Sequence, residues 1–234
     1  MNEKLALVLV GREEDRKLKE VLPHAGWVEL RVDQFLSLGS EDELIPWVER
    51  VRENTSGRLI ATVRWFREQG NPAYRISDSD RQRLYQVLLP LVDYLDVEIK
   101  SALARKLVEL SHQHSKKVIL SYHNFKACPL ESGLIRLAKE FRRLKGDILK
   151  IAVKVNQPRE LLRLLEFTVR YGQVYPVVVI PMGTELLERL MPLFFGSAFT
   201  YVAASSKTAP GQPDYLEFTR VYRLLVTENK ERKH

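Results

Sequence analysis

The chain has 234 residues, enough for one large domain or two small ones, and its single cysteine, Cys128, excludes internal disulfide bonds. Apolar residues make up 45% and charged residues 29% of the chain, proportions typical of a globular protein. A net charge of +7 permits nucleic-acid binding, but apart from FRRLK and the tail ENKERKH the basic residues are scattered, and they form no known binding motif. We therefore expect a basic solvent-exposed surface, no nucleic-acid or membrane partner, and a cytoplasmic location.

Short β-branched runs alternate with longer segments whose apolar residues recur every three or four positions, as on one face of a helix. The predicted strands are 5–10, 27–33, 58–64, 94–99, 117–123, 148–153, 176–182 and 198–204. Predicted helices include 41–54, 78–92, 102–114 and 130–145. Ser40 and Asp78 are predicted helix N-caps, and only Ser40 is followed by the glutamate, Glu43, that completes a capping box.

Eight alternating strand and helix units in a chain of this length predict an α/β fold, the (β/α)8 or TIM barrel. We expect a single barrel domain over residues 1–234, with a flexible basic tail at about 228–234. A doubly wound open sheet is the alternative. No G-x-G-x-x-G or G-x-x-x-x-G-K-[ST] motif follows a predicted strand, which disfavours the nucleotide-binding forms of that alternative.

Polar and ionisable residues lie toward the carboxyl-terminal halves of five consecutive predicted strands. Side chains alternate along a strand, so those within each strand share one face. The residues are Glu29, Arg31 and Asp33, then Thr62 and Arg64, then Asp96 and Glu98, then Ser121 and His123, and finally Lys150. An open sheet covered on both faces would bury apolar residues at these positions. A barrel explains the pattern, because its active site lies at the mouth formed by the carboxyl ends of the strands.

Lys150 places an amine in the middle of an apolar strand, where a charge is costly unless it is paired or loses its proton. Burial and the nearby Arg31 and Arg64 are expected to favour the free amine, which makes Lys150 a candidate Schiff-base nucleophile. His123 is the candidate proton shuttle.

Charged residues around this pair suggest how a substrate is held. Arg31, Arg64 and a later arginine would clamp an anionic or hydroxyl-rich molecule. Four acids would pair with those arginines and orient the histidine: Glu29, Glu68, Asp96 and Glu98. A metal site is disfavoured, because the cationic side chains among these acids would repel a metal ion.

Seven motifs carry a resemblance to a known family: ELRVD, TVRWFREQG, LDVE, LSYHNF, DILKIAV, FGSAFTY and SKTAPGQ. Over nearly the whole chain they resemble type I 3-dehydroquinate dehydratase. The resemblance implies a lyase of the shikimate pathway of aromatic amino-acid biosynthesis, converting 3-dehydroquinate to 3-dehydroshikimate. It also implies a TIM barrel, a lysine Schiff base, no cofactor or metal, and a homodimer.

The resemblance also assigns roles to individual residues. It places the imine-forming lysine on Lys150, the catalytic histidine on His123 and its supporting acid on Glu68. The substrate-binding residues that it implies are Glu29, Arg31, Arg64, Arg189, Thr208 and Gln212. The segment MGTELLERL departs from the family pattern: it lacks the second glycine and the serine and is one residue shorter. Counting back from FGS assigns the arginine that holds the substrate carboxylate to Arg189.

Two other functions fit parts of this pattern. A different Schiff-base enzyme of the aldolase type would retain Lys150, but its phosphate-binding glycine loops are not evident in the sequence. A basic nucleic-acid-binding protein on the same fold would not require the charged mouth.

Overall fold

The computed structural model describes residues 2–11, 13–69, 75–204 and 211–231, which form one barrel. The strands are β1 (Leu5–Leu9), β2 (Trp27–Arg31), β3 (Arg58–Thr62), β4 (Tyr94–Glu98), β5 (Lys117–Asn124), β6 (Ile148–Lys154), β7 (Val177–Met182) and β8 (Thr200–Ala203). The α-helices are α1 (Asp15–Val21), α2 (Val32–Leu36), α3 (Leu44–Glu53), α4 (Asp78–Leu88), α5 (Ala104–Gln113), α6 (Glu131–Leu144), α7 (Pro158–Gly172), α8 (Leu186–Phe194) and α9 (Tyr215–Glu231). Single 3₁₀ turns lie at Asn2–Lys4, Leu22–His24, Glu41–Glu43 and Phe66–Glu68.

All eight strands are parallel, and their order in the sheet is β7-β6-β5-β4-β3-β2-β1-β8. Each strand therefore lies beside its neighbour in the sequence, and β8 returns to β1. The backbone N–H of Ala198 donates to the carbonyl of Val177 at 2.8 Å, across the remaining seam between β7 and β8. This topology confirms the predicted TIM barrel and excludes the doubly wound alternative, in which the strand order reverses within the sheet.

The eight predicted strands are present, with ends that differ by one or two residues. The largest differences, of two residues, are at the end of β2 (Arg31 rather than 33), the end of β3 (Thr62 rather than 64) and the start of β8 (Thr200 rather than 198). The capping box of Ser40 and Glu43 is confirmed at a 3₁₀ turn. Asp78 was wrongly predicted as an N-cap. The cap of α4 is Ser77, whose side chain accepts a hydrogen bond from the backbone of Asp80.

Two apolar regions hold the barrel together. The larger one lies between the strands and the surrounding helices, and the smaller one fills the barrel interior. At the amino-terminal end of the interior, Trp27 stacks on Phe199 with ring centroids 4.4 Å apart and meets the edge of Tyr94 at 5.0 Å. These rings fill the amino-terminal half of the barrel interior. The polar residues on the same strand faces are therefore confined to the carboxyl-terminal half.

Helix α9 continues through Glu231, and residues 232–234 lie outside the described ranges. The flexible tail at about 228–234 and the extension of the domain to both chain ends stay predictions. Within the described ranges, no helix is both long and apolar enough to cross a bilayer.

Candidate active site

Lys150 lies at the centre of a buried charged layer near the carboxyl-terminal mouth of the barrel. Only 3% of the Lys150 surface is exposed. Its Nζ donates to Oδ2 of Asp96 at 2.8 Å and to Oε1 of Glu29 at 3.2 Å. Strands β2 and β6 are not neighbours in the sheet, so the contact between Lys150 and Glu29 crosses the barrel interior. Both hydrogen-bond partners of Lys150 are carboxylates, whereas the sequence argument named Arg31 and Arg64 as its charged neighbours.

Arg64 follows β3 and connects the acids of this layer. Its Nη1 contacts Glu98 Oε1 at 2.8 Å, Asp96 Oδ1 at 3.0 Å and the hydroxyl of Ser121 at 3.0 Å. The Ser121 hydroxyl also donates to Asp96 at 2.6 Å. Burial opposes ionisation of Asp96, but the charges of Arg64 and Lys150 outweigh it and lower the pKa of this carboxyl below its usual value. Asp96 is thereby fixed as an anion between two cations.

A second arginine, Arg81, also binds Glu98, and the sequence argument missed it. Arg81 on α4 is fully buried, and its Nη2 donates to Glu98 Oε2. Its Nε donates to the carbonyl of Val63 at 3.0 Å, and its Nη1 donates to Asp78 Oδ1 at 3.0 Å. A signal for this role exists in the sequence, because Arg81 begins the buried stripe of α4. That stripe consists of Arg81, Leu84, Tyr85 and Leu88.

His123 and Glu68 form a pair at the edge of the same layer, with side chains that are 8% and 6% exposed. Glu68 Oε2 accepts a hydrogen bond from the backbone N–H of His123 at 2.7 Å and lies 3.2 Å from Nδ1 of the imidazole. Burial and the charge of Glu98 raise the pKa of Glu68 to about 8. Burial and the charges of Arg64 and Lys150 lower the pKa of His123 well below its usual value. Both groups are therefore neutral at pH 7.

Arg31 has a partner other than the acids expected for it. Because β2 ends at Arg31 and α2 begins at Val32, Asp33 is carried back toward the arginine. Arg31 Nε and Nη2 donate to the two oxygens of Asp33 at 3.0 and 2.7 Å, in a bidentate ion pair. This pair fixes the guanidinium at the end of β2, where a substrate entering the mouth would meet it.

Arg189 and Gln212 lie on the β7 and β8 side of the mouth. Arg189 is in the first part of α8, which follows β7; it is 1% exposed, and burial lowers its pKa to about 10. Gln212 is buried beside the end of β8, where the Ala203 N–H donates to the Pro213 carbonyl at 2.8 Å. Thr208 lies outside the described residues.

The described residues thus bring together the predicted lysine, the histidine and its acid, while the roles assigned to them stay predictions. Across these described ranges, no group of three or more His, Cys, Asp or Glu side chains is arranged to hold a metal ion. Besides Arg81, the sequence argument missed Tyr201, whose ring lies against Lys150. Tyr201 shares its strand face with Phe199, and nothing in the local pattern separates the two residues.

This chain is similar in sequence and in fold to several known proteins. The family described as type I 3-dehydroquinase matches residues 7–229. A 3-dehydroquinate dehydratase of Thermodesulfovibrio yellowstonii is 29% identical over 222 residues, covering 94% of this chain and 95% of the relative. The crystal structure of 3-dehydroquinate dehydratase from Aquifex aeolicus is 33% identical with a TM-score of 0.75, covering 93% of this chain and 96% of that one. The type I enzyme from Clostridium difficile, solved with covalently modified comenic acid, is 28% identical with a TM-score of 0.83, covering 97% and 94%.

Proposed function

The chain belongs to the type I 3-dehydroquinase family, and from that premise we propose that it dehydrates 3-dehydroquinate to 3-dehydroshikimate through a Schiff base on Lys150. The observation that carries the mechanism is the buried Lys150 Nζ, held between Asp96 and Glu29 in the charged layer of the barrel. His123 lies on the adjacent strand, where its register partner is Ala152, two residues beyond the lysine.

The first step requires Lys150 to give up a proton. Asp96 is a poor acceptor because Arg64 and Lys150 hold its pKa low. Glu29, which lies 3.2 Å from Nζ, is assigned as the acceptor. The free amine then attacks the C3 carbonyl carbon of the substrate. A C–N bond forms, the carbonyl C–O bond breaks, and the oxygen leaves as water with the proton that Glu29 took. The product is a protonated imine that withdraws electrons from C2.

The second step is proton removal at C2. His123 presents Nδ1 to Glu68, which leaves Nε2 as the ring nitrogen that takes the proton. The electron pair of the C–H bond forms the enamine, and the C1–O bond then breaks. The departing hydroxide takes the proton from His123 and leaves as water. Hydrolysis of the imine releases 3-dehydroshikimate and restores Lys150, so the net change is the loss of one water.

Substrate binding falls to the polar residues around this centre. Arg31 and Arg64 are held by carboxylates and can donate further hydrogen bonds to substrate hydroxyl groups. Arg189 is assigned to the substrate carboxylate. The low dielectric implied by its burial would strengthen that contact. Glu29, Thr208 and Gln212 complete the proposed set.

Borohydride reduction tests the proposal. The protein is mixed with 3-dehydroquinate, treated with borohydride and digested, and the peptide carrying the added mass is identified by mass spectrometry. We expect the adduct at Lys150, with loss of turnover measured by absorbance in the enone band of 3-dehydroshikimate. An adduct at another lysine, or none, would remove the imine mechanism.

Two variants make the test specific. Lys150→Met keeps most of the buried volume and should retain the fold while losing both adduct and turnover. Lys154→Met is the matched control, because Lys154 is an exposed residue of the same strand. It should retain both. The homodimer, the cytoplasmic location and the absence of a metal, cofactor, nucleic-acid or membrane partner stay predictions from the sequence.

A further inference from the structure

Tyr201 on β8 projects into the barrel interior and is 3% exposed. Its register partner on β1 is Ala6, and the next interior residue of that strand is Val8, so the neighbouring strand leaves room for a large ring. The ring centroid lies 3.9 Å from Nζ of Lys150. The buried hydroxyl of Tyr201 has no hydrogen-bond partner among the described residues, so the contact with Lys150 is made by the ring and not by the hydroxyl.

The face of an aromatic ring attracts a cation, and the attraction is strongest where water is excluded. Lys150 Nζ therefore has three electron-rich neighbours: the ring of Tyr201 and the carboxylates of Asp96 and Glu29. The wider surroundings contribute Arg64, bound to Asp96, and the neutral imidazole of His123. Burial and the charges of Glu29 and Asp96 raise the pKa of the Tyr201 phenol well above its usual value, so the ring stays uncharged.

We propose that Tyr201 is a further catalytic residue whose ring face stabilises the positive charge of the protonated imine that forms on the Lys150 nitrogen. The inference rests on the proposed function, because the charge matters for catalysis only if an imine forms on this nitrogen. A neutral imine withdraws electrons from C2 far less strongly than a protonated one. The ring would therefore extend the pH range over which the imine remains an electron sink.

The test is the pH dependence of kcat on the alkaline side, where loss of the imine proton ends catalysis. Tyr201→Leu removes the ring face and should shift this descending limb to lower pH by about one unit. That shift corresponds to a tenfold lower proton affinity of the imine. Tyr201→Phe keeps the ring and should leave the limb in place. It should not lose stability, because the deleted hydroxyl makes no hydrogen bond with a described residue.

A shape-matched series guards against poor folding of the leucine variant. Phenylalanine and its fluorinated forms at position 201 keep the ring while withdrawing electrons from its face, so the limb should move down stepwise with fluorine number. If kcat instead falls by the same factor at every pH, the ring only packs and the inference is wrong. Failure of borohydride to label wild-type Lys150 would overturn both proposals. Normal labelling with an unmoved limb throughout the series would overturn this one alone.

Discussion

Replacing Arg81 by methionine should destabilise the barrel strongly, although Arg81 comes from a helix outside the strands. The substitution keeps a long apolar side chain and removes the guanidinium that contacts Glu98, Val63 and Asp78. Glu98 is fully buried, and the hydrogen-bond partners that its side chain would keep among the described residues are Arg64 Nη1 and the Trp65 N–H, each at 2.8 Å. Removing one partner from a buried ion pair costs about 3–5 kcal/mol, and we expect the lower end because Arg64 remains.

Urea unfolding measures this loss. With an m-value of about 3 kcal/mol/M, a loss of about 3 kcal/mol moves the midpoint down by about 1 M. Arg83→Met is the matched control on the same helix. Arg83 pairs with Glu41, but both side chains are about half exposed, so this pair should contribute little to stability. The midpoint of the control should stay close to that of the wild type.

A double substitution separates lost charge compensation from lost packing. If the cost of Arg81→Met comes from the uncompensated Glu98 carboxylate, adding Glu98→Gln should recover part of the stability, because the amide carries no charge. Equal midpoints for Arg81→Met and Arg83→Met would refute the argument from burial. A double variant no more stable than Arg81→Met would show that the loss comes from packing instead.

Four further outcomes follow from the site. Arg189→Ala should raise KM with a smaller effect on kcat, by about 2–4 kcal/mol of substrate binding; an unchanged KM would show that another residue holds the carboxylate. His123→Ala should lower kcat by about 10²–10⁴-fold and accumulate a lysine adduct visible by intact-mass spectrometry, and near-normal turnover would exclude His123 as the base. An ionised Glu68 accepts a hydrogen bond from the Nδ1–H of the base tautomer, and the pKa of Glu68 is about 8, so kcat/KM should rise through that pH. The rise should vanish in Glu68→Gln. Because the folded-state pKa of Glu68 lies above its ordinary value of 4.5, its contribution to stability is full below pH 4.5 and is lost toward pH 8, a loss that Glu68→Gln should remove.

The alternation of side chains along each strand carried most of the site prediction. It placed Glu29, Arg64, Asp96 and Lys150 on interior faces, and the structure joins all four through hydrogen bonds. Alternation predicts these contacts because both faces of the strands are buried. An ionisable residue on either face must therefore contact another polar group.

The alternation of side chains along a strand does not predict which side chains contact one another. The Arg31–Asp33 pair depends on β2 ending at Arg31, and strand ends are set by the turn that follows rather than by periodicity. The position of Tyr201 against Lys150 joins β8 to β6 across the barrel, a distance fixed by strand stagger. Arg81 was the one miss with a local signal, an arginine at the start of an otherwise apolar helix stripe.

Arg81 lies on helix α4, outside the strands, but it also affects the chemistry at the centre of the barrel. The linked buried layer holds three carboxylates, Glu29, Asp96 and Glu98, against three cations, Arg64, Arg81 and Lys150. Such a group is electrically balanced while the lysine nitrogen carries its positive charge, or while Glu29 holds the proton that the lysine released, and imbalance is costly where water is excluded. Conversion of the ammonium to a protonated imine preserves this balance, whereas loss of the imine proton to solvent leaves one carboxylate uncompensated. The charge count alone therefore favours the imine form that activates C2, and Arg81 contributes to it without touching the substrate.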